Sequence, residues 1–344
     1  MEEKKYYEEE PIRFSPWREE YQSSLDDFLE QEKADSEKKR RAFITPERYR
    51  EKPEAYREEF KEFLGFPLVG KKRETPKLFK KEFVVKDGNV NIYRMQLLFF
   101  GKLKFYGLYF EQTENKAEKP FVIGLHGGGD SPEICSSFFG NSGSYKHLVR
   151  RMTDRGANVF APQLLLWRDE PYGSTHDRLK VDGKLRQLGG SMTALETYLL
   201  RGSVDYFLEK EGLNKDTVGV AGLSYGGMYA LHLAATDERI KACYSCSWVN
   251  DCYVHSRADW SYKNAQNAFT VAETAAMIAP RALVVAMGDE DELFDWRLTK
   301  KTCEEVKRYY AAFGSRKKFK IVVFNGQHAV DTSDEELDFL FENL

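Results

Sequence analysis

The chain has 344 residues, of which 42% are hydrophobic, 14% aromatic and 31% charged, with a formal net charge of −3 at pH 7. There is apolar material for a sizeable core, at a length that large α/β enzymes reach as one unit with insertions. The charge balance argues against a nucleic-acid binder, which needs a basic excess to meet phosphates, and no apolar run approaches the roughly 18 to 20 residues of a membrane span.

The N-terminus, "MEEKKYYEEEPIRF", is charged from its second residue and lacks the apolar core of a secretory signal, so a cytoplasmic location is expected. Residues 1–75 read as a helical extension. "SSLDDFLEQEKADSEKKRRAF" and "TPERYREKPEAYREEFKEFLGFP" are charged and helix-like. Thr45 suits a helix cap with Pro46 in the first turn, and Phe60, Phe63 and Leu64 share one helical face. The charge runs read as solvated faces.

From about Lys77 the pattern changes, and 76–344 reads as one catalytic domain. "KLFKKEFVV", "NIYRMQLLFF" and "KLKFYGLYFE" look like successive strands, with "KDG" a hairpin turn. Strands and helices then alternate: "FVIGLHGGG" (strand), "YKHLVRRMTDRG" (helix), "ANVFAPQLL" (strand), "SMTALETYLLRGSVDYFLE" (helix), "TVGVAGLS" (strand) and "YGGMYALHLAAT" (helix). "IKACYSCSW" and "RALVVAMGDED" follow as strands, then the helix "WRLTKKTCEEVKRYYAAFG", the strand "KFKIVVFNGQH" and the helix "DEELDFLFENL". Continuous apolar strands separated by helices predict a mostly parallel sheet covered on both faces, with the leading hairpins at one edge. Segments 167–190 and about 250–280 interrupt the alternation after strand ends, where ligands bind in open α/β sheets.

Five cysteines, Cys135, Cys243, Cys246, Cys252 and Cys303, do not look like a disulfide scaffold. Cys243 and Cys246 have CxxC spacing inside a predicted buried strand, without a second pair, and read as core residues rather than zinc ligands.

Four motifs carry chemistry. Gly222-Leu223-Ser224-Tyr225-Gly226 is G-x-S-x-G between a strand and a helix, the context in which a serine hydroxyl is held out on a sharp turn. A serine needs a base to take its proton. Of six histidines, His147 and His232 fall in predicted helices, His126 belongs to the glycine motif, and His176 and His255 lie in the long segments. His328 follows the last strand directly, at the same sheet end as Ser224, and is the expected base. An acid must orient that histidine. Asp289, Glu290, Asp291, Glu292 and Asp295 cluster after one strand; spacing favours Asp291, with Asp289 the rival and Asp251 an outlying alternative. Finally, His126-Gly127-Gly128-Gly129 ends an early strand, and the amides of Gly127 and Gly128 with that of Tyr225 are expected to form an oxyanion hole. The glycines match neither dinucleotide nor P-loop spacing.

On these motifs, and in this order, the chain resembles the α/β-hydrolase superfamily from about Phe79 to Leu344. The resemblance implies an α/β-hydrolase fold, with Ser224 as nucleophile, Asp291 as acid and His328 as base. Within the superfamily it is most similar to the acetyl xylan esterase and dienelactone hydrolase branch, through the helical extension, the hairpins before HGGG and the helix before the nucleophile strand. "GLSYGG" is also similar to the elbow of prolyl oligopeptidases, whose β-propeller has no counterpart here, and HGGG to the hormone-sensitive-lipase esterases. The resemblance implies a serine esterase needing no metal or cofactor, acting on a small-molecule or oligosaccharide ester such as an acetylated sugar. An exopeptidase or amidase, and a non-catalytic binding protein of the same fold, are the rivals. Trp167 and Trp248 are the substrate-binding candidates, with Trp260 and Trp296 nearby; indoles stack on sugars but also fill cores and rims. No nucleic-acid or membrane partner is expected, and a homo-oligomer is left open.

Overall fold

A computed structural model describes residues 7–138, 140, 142–164 and 177–344. Three helices lead: α1 (Pro11–Phe43), α2 (Pro46–Glu51) and α3 (Pro53–Leu64). The Thr45 hydroxyl caps α2 by accepting from the Arg48 amide, as its position before a proline predicts. Strands β1 (Lys77–Asp87), β2 (Val90–Phe99) and β3 (Leu103–Gln112) form an antiparallel meander. Asp87 pairs with Val90 across Gly88, whose φ of +58° suits the tight turn.

Then come β4 (Phe121–Leu125), α4 (Pro132–Cys135), α5 (Leu148–Asp154), β5 (Asn158–Pro162), α6 (Arg178–Gln187), α7 (Met192–Glu209), β6 (Val218–Leu223) and α8 (Tyr225–Thr236). The chain continues through β7 (Ile240–Cys246), α9 (Ala265–Ala268), α10 (Val271–Ala276), β8 (Ala282–Gly288), α11 (Trp296–Ala312), β9 (Phe319–Phe324) and α12 (Glu335–Phe341). The nine strands make one sheet in the order β1-β2-β3-β5-β4-β6-β7-β8-β9. β3 meets β5 antiparallel, and every pairing from β5 to β9 is parallel. β4, β5, β6 and β8 are buried at every residue, which is why they read as unbroken apolar runs.

Two cores result, one per face. The larger gathers α7, α8, α10 and α11 with Tyr49, Phe60 and Leu64 of the leading helices; the other gathers α5 and α12. α2 and α3 therefore belong to the main core, whereas α1 has no buried residue. Cys243 and Cys246 fall in opposite cores, because residues three apart on a strand point to opposite faces. The CxxC spacing thus cannot bring both thiols to one ion. One predicted boundary moves. The helix expected from Tyr145 starts at Leu148, since Lys146 and His147 take positive φ of 47° and 60°. His147 is therefore not helical, and its Nδ1 lies 2.7 Å from the Ser137 hydroxyl. The expected loops also carry short helices, α6 in the first and α9 and α10 in the second.

Candidate active site

Ser224 stands between β6 and α8 with φ +58° and ψ −122°, a conformation L-residues adopt only under constraint. The constraint is visible. Its amide donates to the Cys246 carbonyl (2.8 Å) and its carbonyl accepts from the Met228 amide (2.9 Å). A Cβ at Gly222 would overlap the backbone of Gly226, and one at Gly226 would overlap the carbonyls of Leu125 and His126. The glycines are needed because helix and strands approach too closely for side chains.

β8 and β9 end beside this turn. His328 Nδ1 and Asp291 Oδ2 are 2.8 Å apart. Asp291 Oδ1 also accepts from the amides of Leu293 (2.9 Å) and Phe294 (3.0 Å). Burial alone would raise the Asp291 carboxyl, but the His328 contact and these two amides outweigh it and hold it below the usual carboxylate value. Its rivals are occupied elsewhere. Asp289 Oδ1 accepts from the Gly326 amide (3.1 Å) and so ties down the loop carrying His328. Asp251 lies 3.8 Å from Lys33, and Asp295 caps α11. Gly288 is pressed against the carbonyls of Gly326 and Gln327, which brings the two loops together. His328 Nε2 is buried without a hydrogen-bond partner among the described residues. His328 and Ser224 line the same cavity, of about 590 Å³, with no hydrogen bond between them. Such contacts often tighten only when substrate is bound.

The glycine loop departs from expectation in one respect. The Gly127 amide already donates to the Tyr145 hydroxyl (2.6 Å), which donates to Asp130 Oδ2 (2.6 Å). The expected Gly127 donor is therefore engaged within the protein. Gly128 also lines the cavity. The buried His126 accepts at Nε2 from the Leu164 amide (3.0 Å), so Nδ1 carries the proton and donates to the Gly127 carbonyl (2.8 Å). A trans peptide points its N–H opposite to its C=O, so the Gly128 N–H points away from His126. Burial lowers the His126 imidazole to about 4, keeping this donor neutral. Tyr225 is the first residue of α8, so its backbone N–H lies at the N-terminal end of that helix.

Trp248 does not meet its expectation. It is 1% exposed and packs edge-on behind Trp260 (5.0 Å between centroids), so it is core; among the described residues Trp260 is the indole on the cavity, with His255, Leu293 and Phe294. Trp296 lies under Arg297 and Lys300 on α11. Trp167 and His176 lie outside the described residues. Sequence reasoning missed Tyr145 and the buried Arg178, which is 2.7 Å from Asp259 and 2.9 Å from Glu196. Asp259 in turn accepts from the Tyr225 hydroxyl (2.8 Å), so this ionic group braces the start of α8. Neither residue sits in a local motif that could have flagged it.

Comparison with known proteins gives the family and the fold. A sequence model of the dienelactone hydrolase family matches residues 134–336, more than half of the chain, including Ser224, Asp291 and His328 but beginning after the glycine loop. YtaP of Bacillus subtilis (strain 168), named as a hydrolase, is 26% identical over 142 residues, covering 39% of this chain and 48% of that protein. This chain thus spans about half the length of that relative. Among solved structures, a candidate acetyl xylan esterase from Bacteroides fragilis NCTC 9343 superposes with a TM-score of 0.63 at 17% identity, covering 82% of this chain and 76% of its own. A glucuronoyl esterase from Solibacter usitatus gives 0.60 at 16% identity, covering 83% and 90%. Acetyl xylan esterase 1 from Thermoanaerobacterium sp. JW/SL YS485 gives 0.56 at 14% identity, covering 85% and 93%. At these identities the likeness is one of fold.

Proposed function

The chain belongs to the dienelactone hydrolase family, and from that premise we propose that it is a serine hydrolase of carboxylic esters, acting on short acyl esters of carbohydrates. The observation that carries the reading is the His328–Asp291 pair, 2.8 Å apart, with His328 Nε2 unpartnered among the described residues at the cavity that Ser224 also lines.

These positions support the following steps. His328 Nε2 takes the Ser224 proton as Oγ attacks the ester carbonyl. Asp291 keeps the His328 proton on Nδ1, so that Nε2 is the free base, and stabilises the cation that forms. The tetrahedral oxyanion is met by the amides of Gly128 and Tyr225; one such donor is worth roughly 3 to 4 kcal/mol of barrier. His328 then protonates the departing alcohol, and an acyl-serine remains. Water, deprotonated by the same nitrogen, releases the acid and restores Ser224. Leu293 and Phe294 offer an apolar wall for a short acyl group, and Trp260 a ring face for a sugar. The acetyl xylan esterases among the fold relatives support the acetyl and carbohydrate parts.

The test uses a fluorophosphonate probe and p-nitrophenyl acetate. Wild-type protein is expected to be labelled and to turn over the ester; Ser224→Ala is expected to lose the label and on the order of 10⁶ in kcat. Labelling that survives the substitution rejects Ser224 as nucleophile. Faster turnover of a p-nitroanilide than of the matching ester moves the assignment to an amidase. Release of acetate from acetylated xylo-oligosaccharides examines the carbohydrate part.

A further inference from the structure

Gly127, Gly128 and Gly129 follow one another in the loop after β4. Such a stretch has wide conformational freedom, yet a donor to an oxyanion works only if it is in place before the charge develops. Groups outside the glycines must therefore fix them. His126 holds the Gly127 carbonyl (2.8 Å), and Gln163 Nε2 donates to the Asp130 carbonyl (3.2 Å). Tyr145 supplies a further anchor: its hydroxyl accepts from the Gly127 amide and donates to Asp130 Oδ2, both at 2.6 Å. The peptides on either side of Gly127 are thus each held by one side chain, Tyr145 before it and His126 after it.

The Tyr145 ring is buried in the core of α5 and α12, which gives its hydroxyl a fixed position. Burial beside Asp130 holds the phenol well above its ordinary value, so it stays protonated. A hydroxyl has one proton; with that proton given to Asp130, its lone pairs are left for the Gly127 amide. A carboxylate at the end of the chain polarises the hydroxyl and strengthens its hold on that amide. The clamp also acts beside the nucleophile. A Cβ built on Gly127 would stand 3.2 Å from the Tyr145 hydroxyl and 3.3 Å from the Ser224 Cβ. The turn that carries Tyr145, Gly143–Tyr145, reaches the histidine loop by backbone alone: the Ser144 carbonyl accepts from the Val330 amide (2.7 Å), two residues past His328.

We propose that Tyr145 is a positioning residue for ester cleavage: clamped by Asp130, it fixes the backbone at Gly127 so that the Gly128 amide is presented to the oxyanion. Its effect passes through Gly127, whose own amide is spent on the clamp. The proposal rests on the reading of this site as a serine esterase.

The test compares wild type with Tyr145→Phe, which keeps the ring and the Ser144–Val330 bond and removes only the hydroxyl. Turnover of p-nitrophenyl acetate is expected to fall about 10- to 100-fold in kcat, with KM within about threefold, because a misplaced donor costs the transition state and not the bound ester. Affinity for phenylboronic acid, which adds to Ser224 Oγ as a tetrahedral adduct, is expected to fall by the same factor as kcat/KM. A purely structural hydroxyl would alter stability and leave both kinetic ratios as they were. Asp130→Asn keeps an acceptor but loses the charge, and kcat is expected to fall by a smaller factor, about 3- to 10-fold. The double variant is expected to be no slower than Tyr145→Phe, since the two side chains act in one chain. An unchanged kcat in Tyr145→Phe overturns the proposal. So does a higher kcat, which would make the hydroxyl a block on a Gly127 donor, and so does a loss confined to KM. If Tyr145→Phe does not fold, Asp130→Asn decides, and an unchanged kcat there overturns it. A wild-type protein that neither takes the fluorophosphonate label nor turns over the ester rejects the esterase reading, and this proposal with it.

Discussion

α8 and α1 are both helices, yet every residue of α8 is buried and none of α1 is. The difference shows in the backbone. At the start of α8 the chain holds Ser224 at φ +58°, and the strain persists because the carbonyl of Cys246, the turn of α8 and the close-packed glycines leave it no alternative. α1 has no buried residue, and Trp17 and Tyr21 in its N-terminal half are exposed. Reactive groups need positions fixed to a fraction of an ångström, which only dense surroundings supply.

Four measurements test this contrast. At the elbow, Asp291→Asn removes the carboxylate that holds the His328 tautomer, and kcat is expected to fall about 10³- to 10⁴-fold with the fold intact. A fall under about tenfold by the same reasoning would pass the role to a neighbour such as Asp289. Gly226→Val forces a side chain into the carbonyls of Leu125 and His126. Its expected cost exceeds about 4 kcal/mol, read by urea unfolding or by failure to fold. If it is tolerated, the elbow is not over-determined.

The third measurement is the pH dependence of stability. Burial lowers both His126 and His232 from 6.5 to about 4. The unfolded chain binds these protons below about 6.5, the folded protein only near 4. The stability present above the unfolded value is therefore lost as pH falls through that window, on the order of 3 kcal/mol per histidine. His232→Gln is expected to flatten the slope; an unchanged slope would place the proton uptake elsewhere. The smallest effect belongs to α1. Trp17→Glu is expected to change the unfolding free energy by less than about 0.5 kcal/mol, since Trp17 is exposed. A larger loss would mean that Trp17 packs on its own chain.

Much of the catalytic region was legible because its signals are local. Apolar runs separated by amphipathic helices announce a parallel sheet, and such a sheet gathers strand ends on one edge. Ser224, Asp291 and His328 each follow a strand within four residues, so the topology alone brings them close. The choice of Asp291 over Asp289 rested on spacing, and the observed contacts separate the two: one carboxylate meets His328, the other the Gly326 amide. Trp248 shows the opposite. Its place after a strand is equally suggestive, but whether an indole meets the cavity or the core depends on what packs over it, and Trp260 does. The positive φ of His147 likewise had no sign in a stretch of helix-forming residues.

Local sequence signals account for the order of the nine strands, the α/β architecture, the elbow at Ser224 and the cap at Thr45, since each follows from periodicity and from the conformational limits of glycine, proline and short polar side chains. Only the tertiary structure decided that Tyr145, from a turn 18 residues beyond Gly127, occupies that glycine's amide. It alone decided that Arg178 braces Tyr225 through Asp259, and that Trp17 and Tyr21 of α1 stay exposed. These depend on which distant groups converge, and a hydrogen bond or a buried face is a property of the pair and not of either residue.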